Sequence, residues 1–279
     1  MTPIIYKRAE TPVGNSMTEF TELMDSMTSA DDGWRVAVSD DWLQGRTVYG
    51  GLASALCMQG ALRSFADLPP LRSAQIAFIG PASGELQIKP SVLRKGKSTV
   101  FVGVDLIGDA GLATRAMFCF GAARASAFAH SEMAAPQIKS PDDCPDFFRR
   151  APPSLQFVQH LEGRHVGGAM PFSGSDRPEM TLWLRHRTQA LTSPLVALLA
   201  LADAPPPAAS TMTTTPSPIS TMTWAIDMLT DKIATDDGWW LVRSAAEQIG
   251  DGYSSQAMTV WNAQGVPVMA SRQNVAVFG

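Results

Sequence analysis

The stretch SPLVALLALAD, residues 193–203, is an apolar run that ends in a carboxylate. Leu195 to Ala202 are eight apolar residues without a break, and prolines occupy positions 205–207. The run predicts a buried helix that ends near Asp203, because proline cannot continue a helix. A buried charge is costly unless it is paired or hydrogen-bonded. Asp203 therefore either marks the edge of the core or is held there for a function.

A second helix in similar surroundings is predicted in the first half of the chain. Residues 48–66, VYGGLASALCMQGALRSFA, place Gly50 and Gly51 before apolar residues at helical spacing. The glycine pair predicts a tight turn into the helix. Each helix follows a short tryptophan-containing strand and precedes several strands separated by glycine turns. The residues expected to be buried on the two helices are Leu52, Leu56, Leu195 and Leu198.

This repetition predicts two copies of one unit, each a long buried helix followed by an antiparallel meander. The fold class is α+β, with a first unit at 1–125, a linker at 126–153 and a second unit at 154–279. The linker is rich in Ala, Ser, Pro and Asp and lacks a period, which predicts an irregular segment laid over the surface. Residues 204–218 are small, polar and proline-rich, and they predict a mobile segment.

Composition excludes several classes of protein. The chain has 279 residues, of which 45% are hydrophobic and 17% charged, as in packed globular proteins. A net charge of -4 without a basic stripe argues against a nucleic-acid partner. The three cysteines form no CxxC pair, and the four histidines lack metal-ligand spacing. We therefore expect no disulfide framework, no metal site and no cofactor.

The expected location is the cytoplasm. The first residues, MTPIIYKRAETP, lack the apolar region of a signal peptide. No apolar run reaches the roughly 18 residues that predict a membrane span. The chain also lacks a GxSxG motif, which argues against a serine hydrolase of the α/β type.

Three segments together resemble a known family. They are YGGLASAL at 49–56, GELQIKPSVLRKGKS at 84–98 and VWNAQGVPVMASRQNVAVF at 260–278. In this order they resemble the double hot dog acyl-CoA thioesterases of the thioesterase II type, and the resemblance extends from about residue 20 to residue 278. It implies two tandem hot dog units, each a central helix wrapped by a curved antiparallel sheet. It also implies an acyl-CoA substrate.

The resemblance implies an active site of three residues in the second unit. The family's aspartate at the end of the second helix matches Asp203, its Ser/Thr at the start of the next strand matches Thr221, and its last-strand glutamine matches Gln273. Thr221 is preferred to the serine before it because the apolar alternation over 222–228 is then in phase with the family's strand. The family often has an acid two residues further on, where this chain has Thr223.

These residue types suit the hydrolysis of a thioester. A carboxylate in an apolar setting can orient a water molecule and accept its proton. A hydroxyl and a carboxamide can hold that water without becoming charged. The oxyanion needs preorganised donors, and the backbone N–H groups of Gly50 and Gly51 are candidates if the two helices pack side by side.

Other interpretations remain open at this stage. Asp203 alone could be a surface residue at a helix end, Thr221 could simply begin a strand, and Gln273 could face solvent. An enoyl-CoA hydratase of the same fold typically has an Asp and a His a few residues apart after the helix, whereas no His follows Asp203 closely. A non-catalytic acyl-CoA or acyl-chain binding protein is the alternative from another class. Exposed sheet edges favour a homodimer or higher homo-oligomer.

Overall fold

The computed structural model describes residues 17–137, 139–188 and 190–278; residues 1–12, on which the expectation of no signal peptide rests, lie outside these ranges. The described helices are α1 (Phe20–Asp25), α2 (Gly50–Ser64) and α3 (Pro194–Ala202), and none of them is long and apolar enough to cross a membrane. The described strands are β1 (Thr28–Ala30), β2 (Gly33–Val38), β3 (Leu43–Gln44), β4 (Thr47–Val48), β5 (Leu71–Phe78), β6 (Gly84–Lys95), β7 (Thr99–Gly108), β8 (Gly111–Gly121), β9 (Leu161–Gly168), β10 (Glu179–His186), β11 (Ile219–Met228), β12 (Trp240–Gly250), β13 (Tyr253–Asn262) and β14 (Pro267–Val277).

Twelve strands form one antiparallel sheet, and β3 and β4 form a separate ribbon. The order across the sheet is β1-β2-β6-β7-β8-β5-β11-β14-β13-β12-β10-β9. The two halves mirror each other, since β6-β7-β8-β5 in the first corresponds to β12-β13-β14-β11 in the second. The halves join where β5 pairs with β11. The predicted α+β class, with a buried helix and an antiparallel sheet in each half, is confirmed.

The predicted meander is wrong in one connection of each half. The strand that follows the helix does not pair with the next strand: β5 pairs with β8, and β11 pairs with β14. The remaining three strands of each half are consecutive hairpin neighbours, as predicted. Apolar alternation identifies a strand and its buried face but not the strand with which it pairs. The sequence pattern therefore could not predict these two pairings.

The helix α2 is buried on all its faces. Residues 51–61 are buried without interruption, because α2 contacts β6, β7 and β8 of the sheet and also packs against α3. Leu52, Leu56 and Leu198 are buried as predicted, and each fully buried leucine contributes about 1.5–3 kcal/mol. Leu195 is only partly buried, because it lies in the first turn of α3 at the edge of the core.

The two central helices meet at a glycine. A Cβ atom on Gly51 would lie 2.3 Å from the carbonyl oxygen of Ala200 and 2.6 Å from the ring of Tyr49. Gly51 is in the first turn of α2, and Ala200 is in the last turn of α3. The N-terminus of one helix therefore lies against the C-terminal turn of the other.

The linker crosses the outer face of the second half. Its backbone carbonyls at Met133 and Lys139 accept hydrogen bonds from the indole N–H groups of Trp261 and Trp183. Together with Cys144, these tryptophans belong to a small apolar cluster separate from the main core. The described residues of 126–153 form no strand and no α-helix, and most of residues 126–143 are exposed. The bounds 126–153 of the linker stay a prediction.

The segment that follows Asp203 is packed into the protein. Ala208 to Thr211 form a turn of 3-10 helix whose residues are all buried. The backbone N–H groups of Phe172 and Ser175 donate to the carbonyls of Ser210 and Thr211. The expectation of a mobile segment is wrong for this part, because small residues can be buried with their backbone groups hydrogen-bonded to neighbouring loops.

Gly51→Ala tests the helix contact. We expect a loss of about 1–3 kcal/mol in the free energy of unfolding, because the new methyl group would meet a backbone carbonyl that cannot rotate away. Gly167→Ala is the matched control, since a Cβ atom there meets nothing within 4 Å. Urea denaturation of both variants measures the difference. Equal stabilities would show that the helices do not meet at Gly51.

Candidate active site

Asp203 caps the C-terminal end of α3 and faces the start of α2. Its backbone (φ -93°, ψ 4°) leaves the helical conformation two residues before Pro205, which could not continue the helix. Its carboxylate accepts a hydrogen bond from the backbone N–H of Gly51. A Cβ atom on Gly50 would lie 2.6 Å from Oδ2 of Asp203, so only glycine leaves room for the carboxylate. Asp203 therefore occupies an anion-binding helix N-terminus contributed by the other half of the chain.

Gln273 reaches the same carboxylate from the sheet. Although seventy residues separate the two positions in sequence, Nε2 of Gln273 donates to Oδ1 of Asp203 at 2.5 Å. The side chain lies on the buried face of β14, opposite Trp224 of β11, and Gln273 is 4% exposed. The structure thus brings two of the residues named from the sequence into direct contact, and Gln273 does not face solvent.

The surroundings place the pKa of Asp203 near neutrality. Burial raises this pKa from 3.8 to about 7, while the hydrogen bonds from Gln273 and Gly51 act in the opposite direction. Protein surrounds the carboxylate on most sides, yet Asp203 retains some exposed surface. A carboxyl group with such a pKa can both accept and return a proton near pH 7.

Thr221 faces the interior because of a β-bulge. Across β11 and β14, Thr221 pairs with Val275, while Trp224 pairs with Gln273, so the register shifts at Met222. Directly opposite residues share a face, and Val275 and Gln273 are both buried. Thr221 is therefore on the same face of the sheet as Gln273. Its pair with Val275 is the next inward-facing pair along the two strands after the pair of Trp224 with Gln273. Among the described residues, its hydroxyl makes no direct hydrogen bond to Asp203 or Gln273.

The two glycines form the first two positions of α2 and lie beside Asp203. The Gly51 N–H already donates to the carboxylate. The N–H of Gly50 lies in the first helical turn, where no intrahelical acceptor exists. Their role as oxyanion donors stays a prediction, and Gly50 is the more suitable of the two because its N–H has no acceptor within the helix.

Gln256 extends the site, and the sequence analysis did not identify it. It lies on β13 opposite Gln273 and is 1% exposed. Its Nε2 donates to Oε1 of Gln273 at 2.7 Å, and its Oε1 accepts the backbone N–H of Ala208 at 2.9 Å. The sequence does contain a signal for a buried Gln256: it occupies an inward position of the strand, in alternation with the apolar Met258 and Val260.

Tyr49 is a second residue that the sequence analysis did not identify. Its ring stacks on Phe157 with centroids 4.0 Å apart, and its hydroxyl is buried without a hydrogen-bond partner in the described part of the chain. Burial and the nearby charge of Asp203 both raise the pKa of this hydroxyl far above its usual value. It is therefore a neutral donor close to the carboxylate.

Family models match both halves of the chain. The acyl-CoA thioesterase N-terminal domain matches residues 38–121, and the acyl-CoA thioesterase C-terminal domain matches residues 141–277. Together these segments cover well over half of the sequence. No curated protein matches the chain by sequence.

Solved structures show the same fold at low sequence identity. A conserved protein of unknown function with a hot dog fold from Alicyclobacillus acidocaldarius has a TM-score of 0.84 at 23% identity, covering 94% of this chain and 99% of its own. The acyl-CoA thioesterase II TesB2 from Mycobacterium marinum has a TM-score of 0.74 at 17% identity, covering 92% and 97%. The tesB protein from Mycobacterium avium subs. paratuberculosis has a TM-score of 0.76 at 14% identity, covering 94% and 100%. The predicted hot dog fold is confirmed.

The raised pKa of Asp203 predicts a pH-dependent stability. The folded protein holds a proton that the unfolded chain releases, so stability from this group is present below about pH 4 and lost as the pH rises through about 7. An asparagine does not titrate. Relative to wild type, Asp203→Asn should therefore gain stability between pH 4 and pH 8, by at most about 4 kcal/mol. Urea denaturation at both pH values measures this gain, and an identical difference at the two would contradict it.

Proposed function

The chain belongs to the acyl-CoA thioesterase family, and we propose that it hydrolyses an acyl-CoA thioester with a water molecule activated by Asp203. The observation that supports this proposal is the direct contact of Asp203 with Gln273 at the N-terminus of α2. Two units, 1–125 and 154–279, joined by a linker at 126–153, are part of the proposal. In this scheme the first unit contributes the helix N-terminus, and the second contributes the carboxylate and the carboxamide.

The reaction follows from the protonation state of Asp203. The ionised carboxylate accepts a proton from water while the water oxygen attacks the thioester carbonyl carbon. The tetrahedral intermediate places negative charge on the former carbonyl oxygen, which backbone or side-chain donors stabilise. The carbon–sulfur bond then breaks, and Asp203 returns its proton to the CoA sulfur. The products are the free acid and CoA, and Asp203 is regenerated as a carboxylate.

Gln273 contributes a donor in this mechanism. Its Oε1 accepts from Gln256, and one of its two N–H bonds points to Asp203. The second N–H is the group that remains for the reaction, so Gln273 can donate to the water or to the oxyanion. Tyr49 and the indole N–H of Trp224 are further buried donors without partners among the described residues.

Asp203→Asn tests the role of the general base. Removal of the charge should lower kcat by about 10²- to 10⁴-fold with KM little changed, because the group acts in the transition state. In wild type, kcat/KM should rise with pH through about 7, as the carboxyl ionises. Thiol release from a panel of acyl-CoA chain lengths is the measurement. Wild-type rates in the variant would exclude Asp203 as the base, and a wild-type protein that binds acyl-CoA without turnover would favour the non-catalytic alternative.

Thr221→Val tests whether this hydroxyl holds the attacking water. Valine keeps the shape and removes the hydrogen-bonding group, so we expect a roughly 10- to 100-fold lower kcat with unchanged thermal stability. Ser220→Ala is the matched control, because Ser220 is exposed on the other face of β11. Equal rates in both variants and wild type would show that Thr221 is structural.

A further inference from the structure

We propose that Gln256 is a positioning residue that fixes which end of the Gln273 amide faces Asp203. This inference rests on the proposed function, because it assigns a purpose to the orientation of Gln273. Three hydrogen bonds form a continuous relay: Ala208 to Gln256 at 2.9 Å, Gln256 to Gln273 at 2.7 Å, and Gln273 to Asp203 at 2.5 Å.

The direction of this relay follows from its first member. A backbone N–H can only donate, so the Ala208 N–H requires the carbonyl oxygen of Gln256. The NH₂ group of Gln256 must then face Gln273, and Oε1 of Gln273 accepts its hydrogen bond. This leaves the NH₂ group of Gln273 facing the carboxylate. The orientation of both amides is thus determined by a group that cannot be reversed.

The local sequence explains why the backbone N–H of Ala208 is available as a donor. Residues 205–207 are prolines and have no N–H, so the N–H of Ala208 is the first donor after Ala204. Ala208 opens the 3-10 turn that ends at Thr211, and the first N–H groups of such a turn have no partner within it. The relay therefore begins and ends in one segment, with Asp203 and Ala208 five residues apart, and passes through two strands between them.

Reversal of the Gln273 amide would oppose the ionised carboxylate. It would place Oε1 of Gln273 against Oδ1 of Asp203, and it would also place NH₂ of Gln273 against NH₂ of Gln256. Both glutamines are buried, so water does not compensate for either contact. Among the described residues, Tyr49 is a titratable group close enough to feel the charge of Asp203, and its hydroxyl is neutral. Gln256 thus keeps a donor, and not an acceptor, beside the base.

A double-mutant cycle tests the relay. Gln256→Leu is made in wild type and in Gln273→Leu, and the pKa of the Asp203 carboxyl is followed by ¹³C NMR, with Asp203→Asn identifying the signal. We expect Gln256→Leu to raise this pKa by about half a unit or more and to lower kcat about tenfold, but to change neither value further in the Gln273→Leu background. Gln256→Met is the second variant, in case the leucine variant does not fold.

Ser244→Ala is the matched control for loss of a buried polar side chain. Ser244 is 1% exposed on the neighbouring strand β12, and within the described part of the chain its hydroxyl has no hydrogen-bond partner. We expect it to leave the pKa of Asp203 unchanged. An equal pKa shift from Gln256→Leu in both backgrounds, or no shift in wild type, would overturn the proposal.

The carboxyl titration does not depend on turnover. If wild type fails to hydrolyse any acyl-CoA while the cycle shows the expected coupling, the proposed function fails and the relay stands. If wild type is active and the cycle shows no coupling, the relay fails and the proposed function stands.

Discussion

The close approach of α2 and α3 at Gly51 is the contact on which the site depends. The helices can meet there because Gly51 has no Cβ atom to strike the carbonyl of Ala200. Their approach brings the last turn of one helix against the first turn of the other. Asp203, one residue beyond α3, is thereby directed at the free N–H groups of α2. A wider separation would leave its carboxylate without this partner.

This arrangement explains how a carboxylate is tolerated after eight apolar residues. The C-terminus of its own helix is unfavourable for a negative charge, whereas the N-terminus of a neighbouring helix is favourable. The two effects act on Asp203 together with burial, which is the larger influence and raises its pKa to about 7. The hydrogen bonds from Gly51 and Gln273 limit the rise. The resulting pKa allows the carboxyl group to be neutral while it is buried and still to ionise near pH 7.

Repeated patterns made the general architecture predictable. Both central helices, the glycine turns and the inward position of Gln273 follow from local periodicity and from resemblance. The pairing of β5 with β8, the bulge at Met222 and the partner of Gln256 do not, because each depends on which strands become neighbours in space. A β-bulge changes the face of the sheet on which a residue lies, and the sequence pattern does not clearly indicate where a bulge occurs. Gln256 could have been identified from the sequence, because a glutamine among the inward-facing apolar positions of a strand requires a buried hydrogen-bond partner.

The mirror relation between the halves shows why the hydrogen-bonded glutamines lie in only one of them. The paired segments of β5 and β11 centre on Gln75 and Ala225, so Ala74 corresponds to Trp224. The partner of Ala74 across the strands is Phe118, where the partner of Trp224 is Gln273. Phe118 in turn pairs with Val102, where Gln273 pairs with Gln256. The first half thus fills with apolar side chains the positions at which the second half builds its relay. The first residue of α3 is a proline, which has no N–H to offer an anion, whereas α2 begins with two glycines. The first half therefore supplies the helix N-terminus and the second supplies the carboxylate and the amides, so the candidate site contains groups from both halves.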